Sequence, residues 1–536
     1  MTNTRDAKAG IKHLFLFLFL LIQFLFSCYC VSNLVISGDG IFSYTLANSP
    51  YSYDFIDHML KHFPQDNGWI DAQVLREDYM TASYDRLNYA GVYWHRRIDD
   101  HPLLYDMAIH TLSSLFPGTF SIWTVGLLNL LGLVLIDLLF IRISRYLWDD
   151  TRYAVIPISL ILLMTIAFDR IVTFPRMYAL LGAAVLWYYC IHVRSITQNA
   201  GRWTRKDLRE MILCIIVGTQ IHYYFYLFAA FVSFTELIRL LKRKWIYTAL
   251  NYVGTGLTGI FITMILYPWM LWPILLTPTT EHDVTYPWTI SKIDRYFLFM
   301  NQYLLNGRWF CLPGVGVILL ILLAVLKKRR KHAGALPDAA GHTVGRNIWC
   351  WIILTVTAVG YSIVVFRLDE GAKHYYMPVY LSVILLMTGG LVFVLQKIAG
   401  QDPVYRIIAC SLVIFLLIFG TRTFTYPGKM ARHHKEYEAW HQIALDHAVN
   451  DAIYIQDFPD NLFGNNWFEL AQYRKFKVIS SDSFLSDGIT EAVLQGRSEA
   501  SHDVMIYVPT ACGRTEPEWE FLMHYLRYDC YLLHLP

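Results

Sequence analysis

The sequence predicts a mainly α polytopic membrane protein of about 11 transmembrane helices, with a small α/β domain outside the bilayer. Three observations carry this expectation. Of the 536 residues, 55% are hydrophobic and only 16% charged. Apolar runs recur at the length a membrane crossing needs, roughly 20 residues. From about Thr423 onward the pattern changes from long apolar runs to short alternating ones.

The runs lie near 13–36, 119–143, 153–168, 174–194, 247–275, 309–326, 347–366, 375–396 and 404–422. The first is longer than the core of a cleavable signal, and no small-x-small site follows it before Ser37, so it is expected to remain as a span. Lys and Arg in short loops mark the cytoplasmic side. The basic clusters are Arg5/Lys8/Lys12, Arg142/Arg145/Arg152, Arg194 to Arg209, Arg239 to Lys244, Lys327 to Lys331 and Lys397/Arg406. For all of them to share one side, 210–238 must cross twice, with a break near Gly218 to His222. The N-terminus is then cytoplasmic and the C-terminal region extracytoplasmic. These loops account for the net charge of +3, which leaves no reason to expect a nucleic-acid partner.

With sidedness assigned, the remaining polar residues collect on the outer side. The first outer loop, 37–118, opens with SGDGIFSYTLANSP and ends near RRIDDHPLLY; further outer segments are FDRIVTFPRMYALL, TQIHYYFYL, TEHDVTYPW and VFRLDEGAKHYYMPVY. Ionisable groups at the hydrocarbon boundary are kept where they pair or line a cavity. Arg176, Arg367, Lys373 and His374 are outer cations against the positive-inside trend, suited to an anion and equally to anchoring span ends. Asp99 or Asp100 is placed to cap a surface helix entered through Pro102, with His101 at the interface; capping alone leaves the second Asp and the two Arg unexplained. Asp39 stands just beyond the first span, where partial desolvation raises a carboxylate toward useful basicity, although SGDG also suits a simple turn. Glu281, His282 and Asp283 are adjacent in sequence, a poor arrangement for one ion, so no metal and no cofactor is expected.

DDHPLLY, PRMYALL and IHYYFYL, in that order after a first span and an outer acidic residue, resemble the GT-C class of membrane glycosyltransferases. The likeness is to the bacterial protein O-mannosyltransferase and aminoarabinose transferase superfamily and covers roughly residues 10–425. It implies transfer of a sugar from a polyprenyl-phosphate carrier to a glycan, lipid or protein acceptor, at the outer face of the cytoplasmic membrane and among membrane lipids. It also implies that Asp39 is the general base or positions the acceptor, with Asp99 or Asp100 as a partner carboxylate, that Asp99 and His101 match the D-x-H-P segment, and that Arg176 with Tyr178 and His222 with Tyr223 contact the donor. The sequence departs from the family pattern at Gly40, where a second acidic residue is common, at Leu103, which replaces a second Pro, and at Asp106, which replaces a Tyr. A transporter or lipid flippase would instead place ionisable residues at the midplane of repeated halves; apart from Asp137 the spans hold few carboxylates, and no repeat is visible. Gly40 keeps a catalytically inactive GT-C scaffold as a third reading.

The domains expected are 1–422, spanning the membrane, and 423–536, outside it. In the latter DAIYIQD, FKVISSD, DVMIYVP and CYLLHLP have the pattern of strands, and 436–449, 464–473, 488–496 and 515–526 that of helices. No nucleotide-binding glycine motif accompanies them. The nine cysteines show no metal spacing, and Cys512 and Cys530 fall where a disulfide is permitted. A cysteine introduced near Asp446 is expected to react with a membrane-impermeant maleimide in intact cells and one at Arg329 only after lysis; the opposite pattern would overturn the topology.

Overall fold

In the computed structural model, which describes residues 2–35, 39–49, 68–76, 86–96, 101–199, 201–271, 290–304, 341–368, 373–398, 428–456, 466–498, 503–513 and 515–535, the apolar runs among those residues are helical. The chain divides into two units, one of Met1–Val31, Asp100–Pro102 and Gly126–Pro427, the other of Ser32–Asp99, Leu103–Val125 and Gly428–Pro536.

The first unit holds α1 (Thr2–Ser32), and its later helices are named here in chain order after three short ones of the second unit, α2 (Asp39–Asn48), α3 (Tyr89–His95) and α4 (Leu104–Leu115). They are α5 (Ile122–Trp148), α6 (Val155–Leu163), α7 (Thr165–Phe168), α8 (Tyr178–Gln198), α9 (Arg205–Ile221), α10 (Tyr224–Lys242), α11 (Ile246–Leu266), α12 (Ile290–Leu304), α13 (Gly341–Leu368) and α14 (Met377–Ile398). Among the described residues six helices are long and apolar enough to cross a membrane, or seven if the broken run from Thr151 to Thr173 is one span. The runs at 309–326 and 404–422 lie outside the described residues.

The 210–238 stretch is two helices, as the basic loops require. Helix α9 ends at Ile221, His222 adopts extended backbone (φ −162°, ψ 140°), and α10 starts at Tyr224. Gly218 makes the tight return possible, since a Cβ there would lie 2.5 Å from the Phe225 ring. A capping box starts α9: the Asp207 N–H donates to Thr204 Oγ1 (3.2 Å) and the Thr204 N–H to Asp207 Oδ2 (3.0 Å). Arg194 joins the same carboxylate and that of Glu210. One helix away, Arg239 forks onto Glu236, Nε donating at 2.7 Å and Nη2 at 2.6 Å, with both side chains buried. Each of these buried charges therefore has an opposite partner, the condition on which such burial is tolerated.

In the second unit, Arg96 and Asp106 form a buried ion pair, which accounts for one arginine of RRIDDHPLLY and for the Asp that follows it. Helix α4 begins later than the sequence suggested, with Leu103 rather than Asp99 or Asp100 at its N-cap and no side-chain cap bond. Its buried face is polar, and it meets α2 through Asn48, whose amide donates to Ser113 Oγ (3.1 Å) and whose carbonyl lies 3.3 Å from His110 Nδ1.

The C-terminal part forms a six-stranded mixed sheet in which a strand from the first loop joins those after Thr423. With β1 (Ile70–Asp71), β2 (Asp451–Gln456), β3 (Lys475–Ser480), β4 (Asp503–Pro509), β5 (Trp519–Tyr525) and β6 (Tyr528–His534), the order is β1-β3-β2-β4-β6-β5. β2 runs parallel to β3 and β4; β6 is antiparallel to β4 and β5. Ile453, Ile455, Ile479, Val504, Ile506 and Phe484 make the core of one face. The four expected strands are present. The expected helix at 515–526 is not: WEFLMHY is β5, turned back onto β6 through Leu526 in the left-handed region (φ 56°), and edge pairing decides a segment whose apolar spacing suits either structure. Cys512 and Cys530 are both free.

A helix over 428–446 supplies His433, Tyr437, Trp440 and His441 to this unit. Glu469 is wholly buried beside them, with His441 Nδ1 3.2 Å from Oε1. Burial pushes the Glu469 carboxyl above the ordinary carboxylate range, and the His441 contact only partly offsets it. Because the folded value is the higher one, this group's stabilisation is fully present below the unfolded carboxylate pKa, about 4.3, and is lost as pH rises through the folded value. The melting temperature of Glu469→Gln relative to wild type is therefore expected to increase as pH is raised from 4 toward neutrality; a difference independent of pH would contradict this.

Candidate active site

Three helices of the first unit begin at one cluster of rings. Helix α8 starts at Tyr178, α10 at Tyr224, and α14 at Met377 directly after a 3-10 turn over Lys373–Tyr376. Tyr178 lies 5.3 Å from His222 and 4.8 Å from His374 between ring centroids. His222 stacks on Tyr224 at 5.1 Å, Tyr224 meets Tyr375 at 4.6 Å, and His101 approaches His222 edge-on at 6.0 Å. Phe174 stacks on His374 at 5.2 Å and lies 5.7 Å from Tyr178. Four segments widely separated in sequence thus place three imidazoles within one aromatic cluster, beside three helix N-termini whose dipoles favour an anion.

Local contacts hold each segment. Asn129, two turns into α5, donates its amide to the carbonyls of Val172 (3.1 Å) and Phe174 (2.8 Å), fixing the chain that leads into Arg176. The Arg176 N–H donates to the Phe174 carbonyl at 2.8 Å, and the arginine side chain is buried. Arg170 lies over the Phe174 ring at 4.3 Å. The Tyr361 hydroxyl donates to the Tyr375 carbonyl (2.8 Å) and the Tyr380 hydroxyl to the Lys373 carbonyl (2.9 Å), clamping the 3-10 turn from both neighbouring helices. His222 Nδ1 accepts the Tyr224 N–H at 3.1 Å, so in the neutral ring the proton sits on Nε2 and that nitrogen is a donor.

Of the residues singled out in the sequence, the structure brings together His101, Tyr178, His222 and His374, with Arg176 and Lys373 on the segments that carry them. Tyr223 is the half-buried N-cap of α10. Arg367 stands exposed at the end of α13. Asp39 is the first residue of α2, in the second unit. Asp99, Asp100 and the Glu281, His282, Asp283 group lie outside the described residues. Asn129, Tyr361 and Tyr380 were missed; only Asn129 left a sign, as a lone amide in GLLNLLGLV.

An apolar helical unit whose ionisable and aromatic residues meet at helix N-termini, together with a mixed α/β unit that includes the C-terminal region, has the fold of a GT-C-like membrane glycosyltransferase. The particular likeness is to ArnT from Cupriavidus metallidurans: its apo-state crystal structure aligns over 98% of this chain and 98% of that one, at 12% identity and a TM-score of 0.51. The ArnT crystal structure bound to undecaprenyl phosphate aligns over 97% of this chain and 98% of that one, at 12% identity and a TM-score of 0.49. No protein-family model matches the sequence, and no curated protein does.

Proposed function

We propose that this multi-pass membrane protein is a glycosyltransferase that takes a sugar from a polyprenyl-phosphate carrier and transfers it to an acceptor at the outer face of the cytoplasmic membrane. The observation that carries the reading is the convergence of three imidazoles and four tyrosine or phenylalanine rings on three helix N-termini. Cations and helix N-termini suit the phosphate of a lipid-linked donor, and aromatic faces suit a sugar ring. The ArnT-like fold supports the same reading at the level of architecture.

In this proposal a carboxylate takes the proton from the acceptor hydroxyl as its oxygen bonds to the sugar's anomeric carbon. The bond from that carbon to the phosphate oxygen breaks, and the carrier leaves as the polyprenyl phosphate. Asp39 is assigned the role of base, with Asp99 and Asp100 positioning acceptor or donor. Arg176, Arg367, Lys373, His374 and the Nε2 donor of His222 meet the developing phosphate charge, and His101, Tyr178 and Tyr223 contact the sugar. The proposal assigns the leaving group to the protein's own cations and includes no cofactor.

The test is transfer from a panel of radiolabelled polyprenyl-phosphate sugars in membranes, comparing wild type with Asp39→Asn at matched expression. Wild type is expected to turn over at least one donor, and Asp39→Asn to lose about 100-fold or more of that rate, the usual worth of a general base. Undiminished transfer in the variant would move the base to Asp99 or Asp100. Failure of wild type with every donor would overturn the transferase reading.

A further inference from the structure

Arg170 lies in a single π-helical turn, Asp169–Thr173, between α7 and α8. By the positive-inside rule it is an outer-side cation, as Arg176 is, and π turns recur at functional sites. Local bonds fix the turn. The Phe174 N–H donates to the Asp169 carbonyl at 2.9 Å, the Thr173 hydroxyl donates to Asp169 Oδ1 at 2.8 Å, and Asn129 holds the Val172 and Phe174 carbonyls from α5. Four residues before Phe174, Arg170 folds back so that its guanidinium carbon stands 4.3 Å from the centre of that ring. Phe174 in turn packs on His374 and Tyr178, so the guanidinium and the ring cluster share a neighbour.

The guanidinium lacks hydrogen bonds. Its side chain is only 17% exposed, and Asp169 answers its charge, but their nearest approach is Nε to Oδ2 at 3.3 Å and forms no hydrogen bond. Nε is buried without a hydrogen-bond partner, and no group among the described residues accepts from the terminal nitrogens. An arginine that merely anchors a span end extends its charged head into water. This one is largely covered, so it has lost hydration without gaining the bonds that would offset the loss. A guanidinium carries five N–H donors in a rigid fork that matches the oxygens of a phosphate, and such charge-assisted bonds are the strong ones.

We infer that Arg170 is a further binding residue for the donor, its guanidinium fork taking phosphate oxygens of the polyprenyl-phosphate carrier on the Phe174 side of the ring cluster. The inference rests on the transferase reading above and is tested by binding, without sugar transfer.

Purified full-length protein is titrated with a polyprenyl phosphate and, separately, with the corresponding polyprenol, which lacks the phosphate. Wild type is expected to bind the phosphate, and Arg170→Gln to bind it about tenfold or more weaker with its affinity for the polyprenol unchanged. Arg170→Lys, which keeps the charge without the fork, is expected to lose less. Asp169→Asn removes the ion pair and leaves the fork, so its phosphate affinity is expected to stay at the wild-type value or rise. Equal phosphate affinity in wild type and Arg170→Gln would overturn the assignment of Arg170 and leave the transferase reading standing. A loss in Arg170→Gln that is as large for the polyprenol, or that Asp169→Asn reproduces, would also overturn it, since either marks a purely structural ion pair. Absence of phosphate binding by wild type would overturn both.

Discussion

Hydrocarbon offers a polar group no partner, and the organisation of the first unit follows from that constraint. Its helices satisfy their own backbones, and apart from Asp137, buried midway along α5, the charged side chains named above stand toward helix ends or pair. Glu236 and Arg239 are buried and forked together, with the Trp203 indole donating to the same carboxylate at 2.8 Å. Asp207 and Glu210 share Arg194. These pairs sit near the ends of α8 to α10 that the basic loops mark. At the opposite ends the arrangement differs: there histidines and tyrosines gather, and helix N-termini supply the positive field.

That difference gives the two ends different chemistry. Paired charges stabilise a fold and offer little to a ligand. Imidazoles and ring faces backed by helix N-termini are suited to an anion that carries a hydrophilic ring, which is the composition of a phosphate-linked sugar. The supporting contacts are short and come from separate helices, Asn129 on α5, Tyr361 on α13 and Tyr380 on α14, so the cluster is held by the scaffold rather than by its own loops. Rigid support of this kind keeps a site's groups in position without ligand.

Much of this was legible in the sequence because membrane proteins write their constraints plainly. Charge sidedness alone required 210–238 to cross twice, and the helices part at His222. IHYYFYL, PRMYALL and KHYYMPVY named three of the four segments that meet, and DDHPLLY the fourth. What escaped was whatever depends on pairing across sequence distance. Nothing local tells that Ile70–Asp71 adds an edge strand to β3, that WEFLMHY pairs with β6 instead of coiling, or that Arg96 answers Asp106. The supporting hydroxyls of Tyr361 and Tyr380 were equally hidden, since tyrosine at a span end is ordinary in any membrane protein.

The account rests on the ring cluster holding a phosphate-bearing prenyl lipid, and the most direct measurement is the affinity of purified wild type and of His222→Ala and Lys373→Ala for a polyprenyl phosphate, without turnover. The account predicts binding by wild type and a loss of about tenfold or more in each variant, the worth of one hydrogen bond to a charged group. Equal affinity in all three proteins, with unchanged melting temperatures, would contradict it.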